Sequence, residues 1–318
     1  MTISTKIPLI AVCGPTASGK TALSIELAKR FGGEVVSSDS MQIYRQMDIG
    51  TAKPTIDEMC GIPHHMIDIA DIDTPFSVSD YCEMASAVIK GISARKKLPI
   101  LAGGTGLYVD SLINNIDFTK SSNDYSVREK YTKILDEDGP VALHNILKKA
   151  DPAAAANIHF NNSKRVIRAL EHIEITGQLF SEYKIKASSK ESPYETLMFF
   201  INIDREVLYQ RINKRVDIMI KNGLIDEAKS IYDQNYDRTL TAMCAIGYKE
   251  LFDYFDGKCS LDEAIDSIKQ NSRRYAKRQL TWFRRNDKLI HLDFNDNILE
   301  NAAIKTDNWL KTNFKEYF

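Results

Sequence analysis

The stretch Gly14-Pro15-Thr16-Ala17-Ser18-Gly19-Lys20-Thr21 constrains this chain more than any other, because it satisfies G-x-x-x-x-G-K-[ST]. It stands between a short apolar run, IPLIAVC at 7–13, and a helical pattern, TALSIELAKR at 21–30, that stops at Gly32 and Gly33. Strand, tight turn and helix form the context in which such a loop, a P-loop, wraps a polyphosphate. Its glycines let backbone N–H groups turn inward and the helix N-terminus adds positive dipole. Lys20 neutralises phosphate oxygens, and the Thr21 hydroxyl can ligate Mg²⁺. Which polyphosphate is held is not encoded in the loop.

The strand-then-helix order recurs. EVVSS at 34–38 reads as a second buried strand, 79–97 as a helix of period 3.6, and LPILA at 98–102 as a third strand running into Gly103-Gly104-Thr105. Such alternation predicts an α/β fold, a P-loop-type parallel sheet covered on both faces. Between 117 and 195 the pattern turns polar and helix-favouring without a strand, which predicts an inserted helical domain. Its 12 basic and 12 acidic residues cancel. TLMFFINI at 196–203 returns to the sheet, helical segments follow near 205–221 and 223–234, and LIHL at 289–292 reads as a last strand. Ser260 and Glu263 have capping-box spacing ahead of a helix over 261–285. The expected division is a core in two parts, 1–116 and 196–318, around an insertion at 117–195.

Composition enters by exclusion. With 43% hydrophobic and 27% charged residues the 318-residue chain is neither fibrous nor low-complexity, and a net charge of −1 means that any nucleic-acid contact must come from a local patch. Five scattered cysteines, none in a C-x-x-C pair, argue against a disulfide framework or zinc ribbon and fit a reducing cytoplasm. No run approaches the ~18 apolar residues of a membrane span, and Pro8 interrupts a first apolar run too short for a signal peptide. No obligate protein partner is evident.

Three further features bear on chemistry. Ser37-Ser38-Asp39-Ser40 lies at the carboxyl end of the second strand, where open α/β sheets build their ligand crevice. Asp39 there can face the P-loop, cap a turn or support Mg²⁺. The third strand ends in glycines where a Walker-B strand would carry Asp, which disfavours a motor-type ATPase. The tract Lys269–Arg285 holds seven basic and no acidic residues. Helical spacing sets Arg274, Arg278 and Arg285 near one face and Ala276, Leu280 and Phe283 on another. That basic face suits a phosphate backbone or is a solvated helix face. Adjacent His64 and His65 lack partners at ligand spacing and read as loop or packing residues.

Together GPTASGKT (14–21), SSDSMQIYRQMDIGTAKP (37–54), GIPHHMID (61–68), GGTGLY (103–108), AIGYKE (245–250) and RRYAKRQLTWFRR (273–285) resemble the bacterial tRNA dimethylallyltransferases, or tRNA isopentenyltransferases, over nearly the whole chain. The resemblance implies transfer of a dimethylallyl group from dimethylallyl diphosphate to N6 of the adenine 3′ of the anticodon, position 37. It implies that the P-loop holds the donor's diphosphate, with Lys20, Arg215 and Thr21-bound Mg²⁺ stabilising the leaving group and Asp39 accepting the N6 proton. Thr105 and Asp39, Ser40, Met41 and Gln42 would line the adenine pocket. Ser163, Lys164, Arg165, Val166 and Ile167, the segment Cys244 to Lys249 with Tyr248, and Arg128 would meet the anticodon arm, with Arg274 and Arg278 on the basic helix. Without the resemblance, a P-loop small-molecule kinase, transfer to a free adenine nucleotide and a non-catalytic RNA-binding protein stay open. The missing Walker-B Asp disfavours the first, the large insertion the second and Asp39 the third.

Overall fold

Apolar side chains dominate the central strands because both faces of the sheet are covered. The computed structural model describes residues 6–116, 126–187 and 191–314. Its six strands are β1 (Ile7–Cys13), β2 (Gly33–Ser37), β3 (His64–His65), β4 (Leu98–Gly103), β5 (Tyr194–Asn202) and β6 (Ile290–Asp293). All pair in parallel in the order β3-β2-β4-β1-β5-β6. Ile10 stands opposite Ile100 of β4 and Leu197 of β5, so successive residues alternate between two layers. Leu9, Ala11, Val36, Leu101 and Phe200 meet Tyr81, Ile89 and Val109 on one face. Ile10, Val12, Val35, Ile100 and Phe199 meet Leu23, Leu27, Ala302 and Leu310 on the other.

The helices that cover these layers are α1 (Lys20–Phe31), the short α2 (Ile56–Met59), α3 (Val78–Ala94) and α4 (Gly106–Ile113) in the first half of the core. The second half adds α9 (Arg205–Lys221), α10 (Leu224–Tyr232), α11 (Tyr248–Phe255), α12 (Leu261–Phe283) and α13 (Ile298–Asn313). The predicted capping box is real: Ser260 Oγ accepts the Glu263 N–H while Glu263 reaches back to the Ser260 N–H at 2.8 Å. No helix among the described residues is long and apolar enough to cross a membrane.

The chain divides into two units, Met1–Ile113 with Pro193–Phe318, and Asn114–Ser192. The second unit contains α5 (Ser126–Ala150), α6 (Pro152–Asn157), α7 (Ser163–Thr176) and α8 (Phe180–Ala187). Its own core joins Leu143, Leu147, Ala155, Val166 and Leu170. Gly139, at φ 81 ahead of Pro140, breaks α5 into two pieces. The expected start of the insertion, residue 117, lies outside the described residues.

Candidate active site

The carboxyl ends of β1, β2 and β4 open into a cleft of about 550 Å³. Its floor is the Gly14–Thr21 loop. Gly19 turns at φ 98 into α1, whose first turn carries no acid and no side-chain cap, so its N–H groups and positive dipole are left to the cleft. Ala17 sits in the left-handed region at φ 63, a strained backbone that Arg211 holds by donating from Nε to the Ala17 carbonyl at 2.7 Å. Lys20 Nζ folds back onto the Pro15 carbonyl at 2.7 Å. Ser18 Oγ is buried without a hydrogen-bond partner.

Cations crowd this space. Lys20, Arg211, Lys214 and Arg215 line it against the two carboxylates Asp39 and Glu58. Burial, and then the neighbouring Arg215, lower the Lys20 pKa to about 8, with Asp39 pulling the other way. Burial and Arg211 likewise lower Arg215, which reaches Thr16 Oγ1 at 3.3 Å. Crowded like charges whose neighbours depress their pKa form a site short of negative charge, and an anion of two or more charges relieves it.

Asp39 follows β2 and lines the same cleft as Lys20 and Arg215. Its Oδ1 accepts the Met41 N–H at 2.9 Å, a turn that also fixes the carboxylate. Thr105 Oγ1 accepts the Ser40 N–H at 3.1 Å, while its own N–H donates to the Ser38 carbonyl. Gln42 donates to the carbonyls of Thr51 and Ala52, so the 39–54 segment is laced to itself at the cleft's rim. The glycine at the end of β4 has a steric cause: a Cβ on Gly103 would lie 2.2 Å from Ser38 Oγ and 2.4 Å from the Ser38 carbonyl oxygen. A Walker-B Asp cannot stand there.

Several expected contacts are corrected by burial. Val166 and Ile167 belong to the helical unit's core, so of the five residues expected at the start of α7 Ser163, Lys164 and Arg165 are the ones open to a partner. Tyr248 is fully buried; its hydroxyl donates to Glu227 at 2.6 Å, and its ring fills the space that a Cβ on Gly50 would need. Glu227 also accepts the N–H groups of Asp48, Ile49 and Gly50, so Tyr248 anchors the QMDIGTAKP loop and offers no face to RNA. Lys249 and Cys244 are exposed beside it. The Arg128 guanidinium forks onto Glu171 at 2.6 and 3.1 Å. Arg274 and Arg278 are exposed on α12, but Lys269 and Arg273 of the same tract turn inward to Asp217 and Asn213 of α9. His64 and His65 form β3, and His65 meets Glu34 at 2.7 Å. Among the described residues no three or more His, Cys, Asp or Glu side chains gather as a metal cage.

Sequence reasoning missed Gln279, Arg211, Lys214 and Glu227. Gln279 is buried on α12; its Oε1 accepts the Thr16 N–H at 2.8 Å and its Nε2 donates to the Gly104 carbonyl at 3.0 Å. The signal was present, because Gln279 interrupts the apolar stripe of Ala276, Leu280 and Phe283 with a carboxamide.

Comparison with known proteins gives consistent results. The IPP transferase family profile matches residues 42–286. A tRNA dimethylallyltransferase of Halalkalibacterium halodurans is 48% identical over 98% of this chain and 99% of its own, and one of Geobacillus thermodenitrificans is 50% identical over 94% of both. Among solved structures, a full-length tRNA isopentenylpyrophosphate transferase from Bacillus halodurans superposes with a TM-score of 0.72 at 47% identity, covering 98% of each chain. A eukaryotic dimethylallyltransferase described as acting on tRNA reaches 0.84 at 32% identity, over 96% of this chain and 80% of that one.

Proposed function

Because this chain belongs to the IPP transferase family, we propose that it transfers a dimethylallyl group from dimethylallyl diphosphate to N6 of adenine 37, just 3′ of the anticodon, in tRNA. The enzyme is a prenyl transferase acting on tRNA, as its relatives are named. The observation that carries the finer reading is Asp39 in one cleft with the Lys20 and Arg215 cations. The acceptor and the five free cysteines support a cytoplasmic place of action.

The donor's diphosphate lies on the Gly14–Thr21 loop, where backbone N–H groups, the α1 dipole, Lys20 and Arg215 meet the charge that grows on it as its bond to the allylic carbon breaks. The adenine N6 forms the new bond to that carbon and releases a proton to the Asp39 carboxylate, held in place by the Met41 N–H. The adenine has to leave its stack to reach the cleft, and Thr105, Ser40, Met41 and Gln42 flank the space that receives it. Mg²⁺ fits the donor set, which is all oxygen: the Thr21 hydroxyl and Asp39 line the cleft, and phosphate oxygens complete what a cage would otherwise supply. When bound it neutralises diphosphate charge. The anticodon arm is engaged by Arg274 and Arg278, by Ser163, Lys164 and Arg165, and by Lys249.

Incubation with labelled dimethylallyl diphosphate and total tRNA, followed by nucleoside analysis, tests this reading. The expected product is N6-dimethylallyladenosine. Tight ATP binding with phosphate release stimulated by tRNA, and no prenylated nucleoside, would overturn it.

A further inference from the structure

In a site built this way, the donor's leaving group rests on the loop after β1, whereas the acceptor's pocket is walled by the segment after β4. The pairing of β1 with β4 brings the loops side by side as far as Cys13 and Gly103. Beyond that register one side chain joins them. Gln279 accepts from the Thr16 N–H in the first loop and donates to the Gly104 carbonyl in the second, at 2.8 and 3.0 Å, so one carboxamide spans the two. It is 4% exposed and matches both partners in polarity. Gly104 is shaped for it: a Cβ at Gly104 would lie 2.1 Å from Gln279 Nε2 and 3.1 Å from its Cδ, with the Gly14 carbonyl oxygen at 3.2 Å. Tyr275, one turn earlier on α12, stands beside both Gln279 and Thr105, the residue that holds Ser40. On the outer side of this turn Arg274 and Arg278 are exposed, and the Arg278 guanidinium lies 5.6 Å from the Tyr275 ring.

We infer that Gln279 is a positioning residue for the transfer, holding the donor loop at a set distance from the acceptor loop so that the allylic carbon and N6 meet in line. The inference rests on the proposed transferase reading. An alignment of reacting atoms within a few tenths of an ångström is worth more than the two hydrogen bonds themselves, since a misplacement of about 1 Å can cost ~10²-fold in rate. Both polar ends of the Gln279 carboxamide are engaged by the two loops, so its loss slows the chemical step and leaves both ligands bound.

The test is single-turnover transfer by the full chain at saturating dimethylallyl diphosphate and tRNA, with tRNA affinity, inorganic pyrophosphate affinity and melting temperature read in parallel. Gln279→Met keeps the length and removes both hydrogen bonds. It is expected to lower the rate ~10²-fold while both affinities stay within about threefold. Gly104→Ala, which leaves α12 untouched and pushes the carboxamide aside, should do the same. Added to Gln279→Ala, it should cost no more than about twofold further, because the group it strikes is gone. A wild-type rate in Gln279→Met or in Gly104→Ala overturns the inference, and so does a fall in rate matched by equal losses of both affinities. If the unaltered chain itself transfers no dimethylallyl group, the functional reading fails and takes this inference with it; if it transfers and the variants keep pace, only the inference fails.

Discussion

The cleft and the helical unit handle charge in opposite ways. In the helical unit carboxylates find cations: Glu171 is nearly buried under the Arg128 fork, and Glu174 is clasped by Lys130 and Tyr131. In the cleft four cations face two carboxylates, and burial with a neighbouring cation lowers the pKa of each of two of them, Arg215 acting on Lys20 and Arg211 on Arg215. The first arrangement stabilises a small unit with a modest core. The second is unfavourable in isolation and becomes favourable only with an anion present, which marks a place for a ligand.

The sharpest way to break this contrast is Lys20→Met. It should cut kcat/KM for the donor by ~10³-fold, the scale of losing one electrostatic stabiliser of a leaving group, without changing the unfolding midpoint. Steady-state kinetics with tRNA saturating reads it. Asp39→Asn should lower the single-turnover rate by ~10²-fold or more with tRNA affinity roughly intact, and a near wild-type rate would remove Asp39 from the base role. Next comes the exposed face of α12: replacing Arg274 and Arg278 by Gln should reduce the slope of log affinity against log salt by about two units in a tRNA titration series. If slope and affinity are unchanged, that face is merely solvated.

Smaller effects test the paired region. Arg128→Met leaves Glu171 buried with only the longer contact from Arg168, at 3.7 Å, and should destabilise the helical unit by about 1–3 kcal/mol. Pyrophosphate binding to the core should not change, and denaturant unfolding followed beside calorimetric binding separates the two. The smallest effect is a pH dependence. Lys20 is charged below about pH 8 and loses its proton above it, so pyrophosphate affinity should decline beyond that point by at most tenfold per pH unit. A bound anion favours the charged lysine, so binding takes up a proton in that range. The step should vanish in Lys20→Met.

Much of the core was legible in the residues because its signals are local. β1 covers the apolar run at 7–13, α1 fills the helical pattern behind the loop, and α9 spans the 205–221 segment. Continuous apolar strands meant a sheet covered on both faces, as the alternate layers of Ile10 and Ala11 show. Asp39 was legible for the same reason: a strand's end and a loop are sequence features, and strand ends are where such sheets build sites. The two-residue strand at His64–His65, and α11, which begins inside the AIGYKE segment and runs on to Phe255, carried too little periodicity to read.

What lay beyond the sequence depends on contacts between distant residues. Gln279 stands 263 residues from Thr16 and 175 from Gly104, in a tract whose dominant signal is positive charge, and only packing turns that one side chain inward. Tyr248 reads as one residue of a recognition motif, yet its ring fills the space over Gly50 and its hydroxyl goes to Glu227, which also holds three backbone N–H groups of the loop. Residue type and periodicity determine which segments become strands, helices and turns, because those preferences act over a few residues. Which polar side chain ends up buried against which loop is decided by the assembled core, where a donor or acceptor shut off from water has to find a partner wherever the fold brings one within 3 Å.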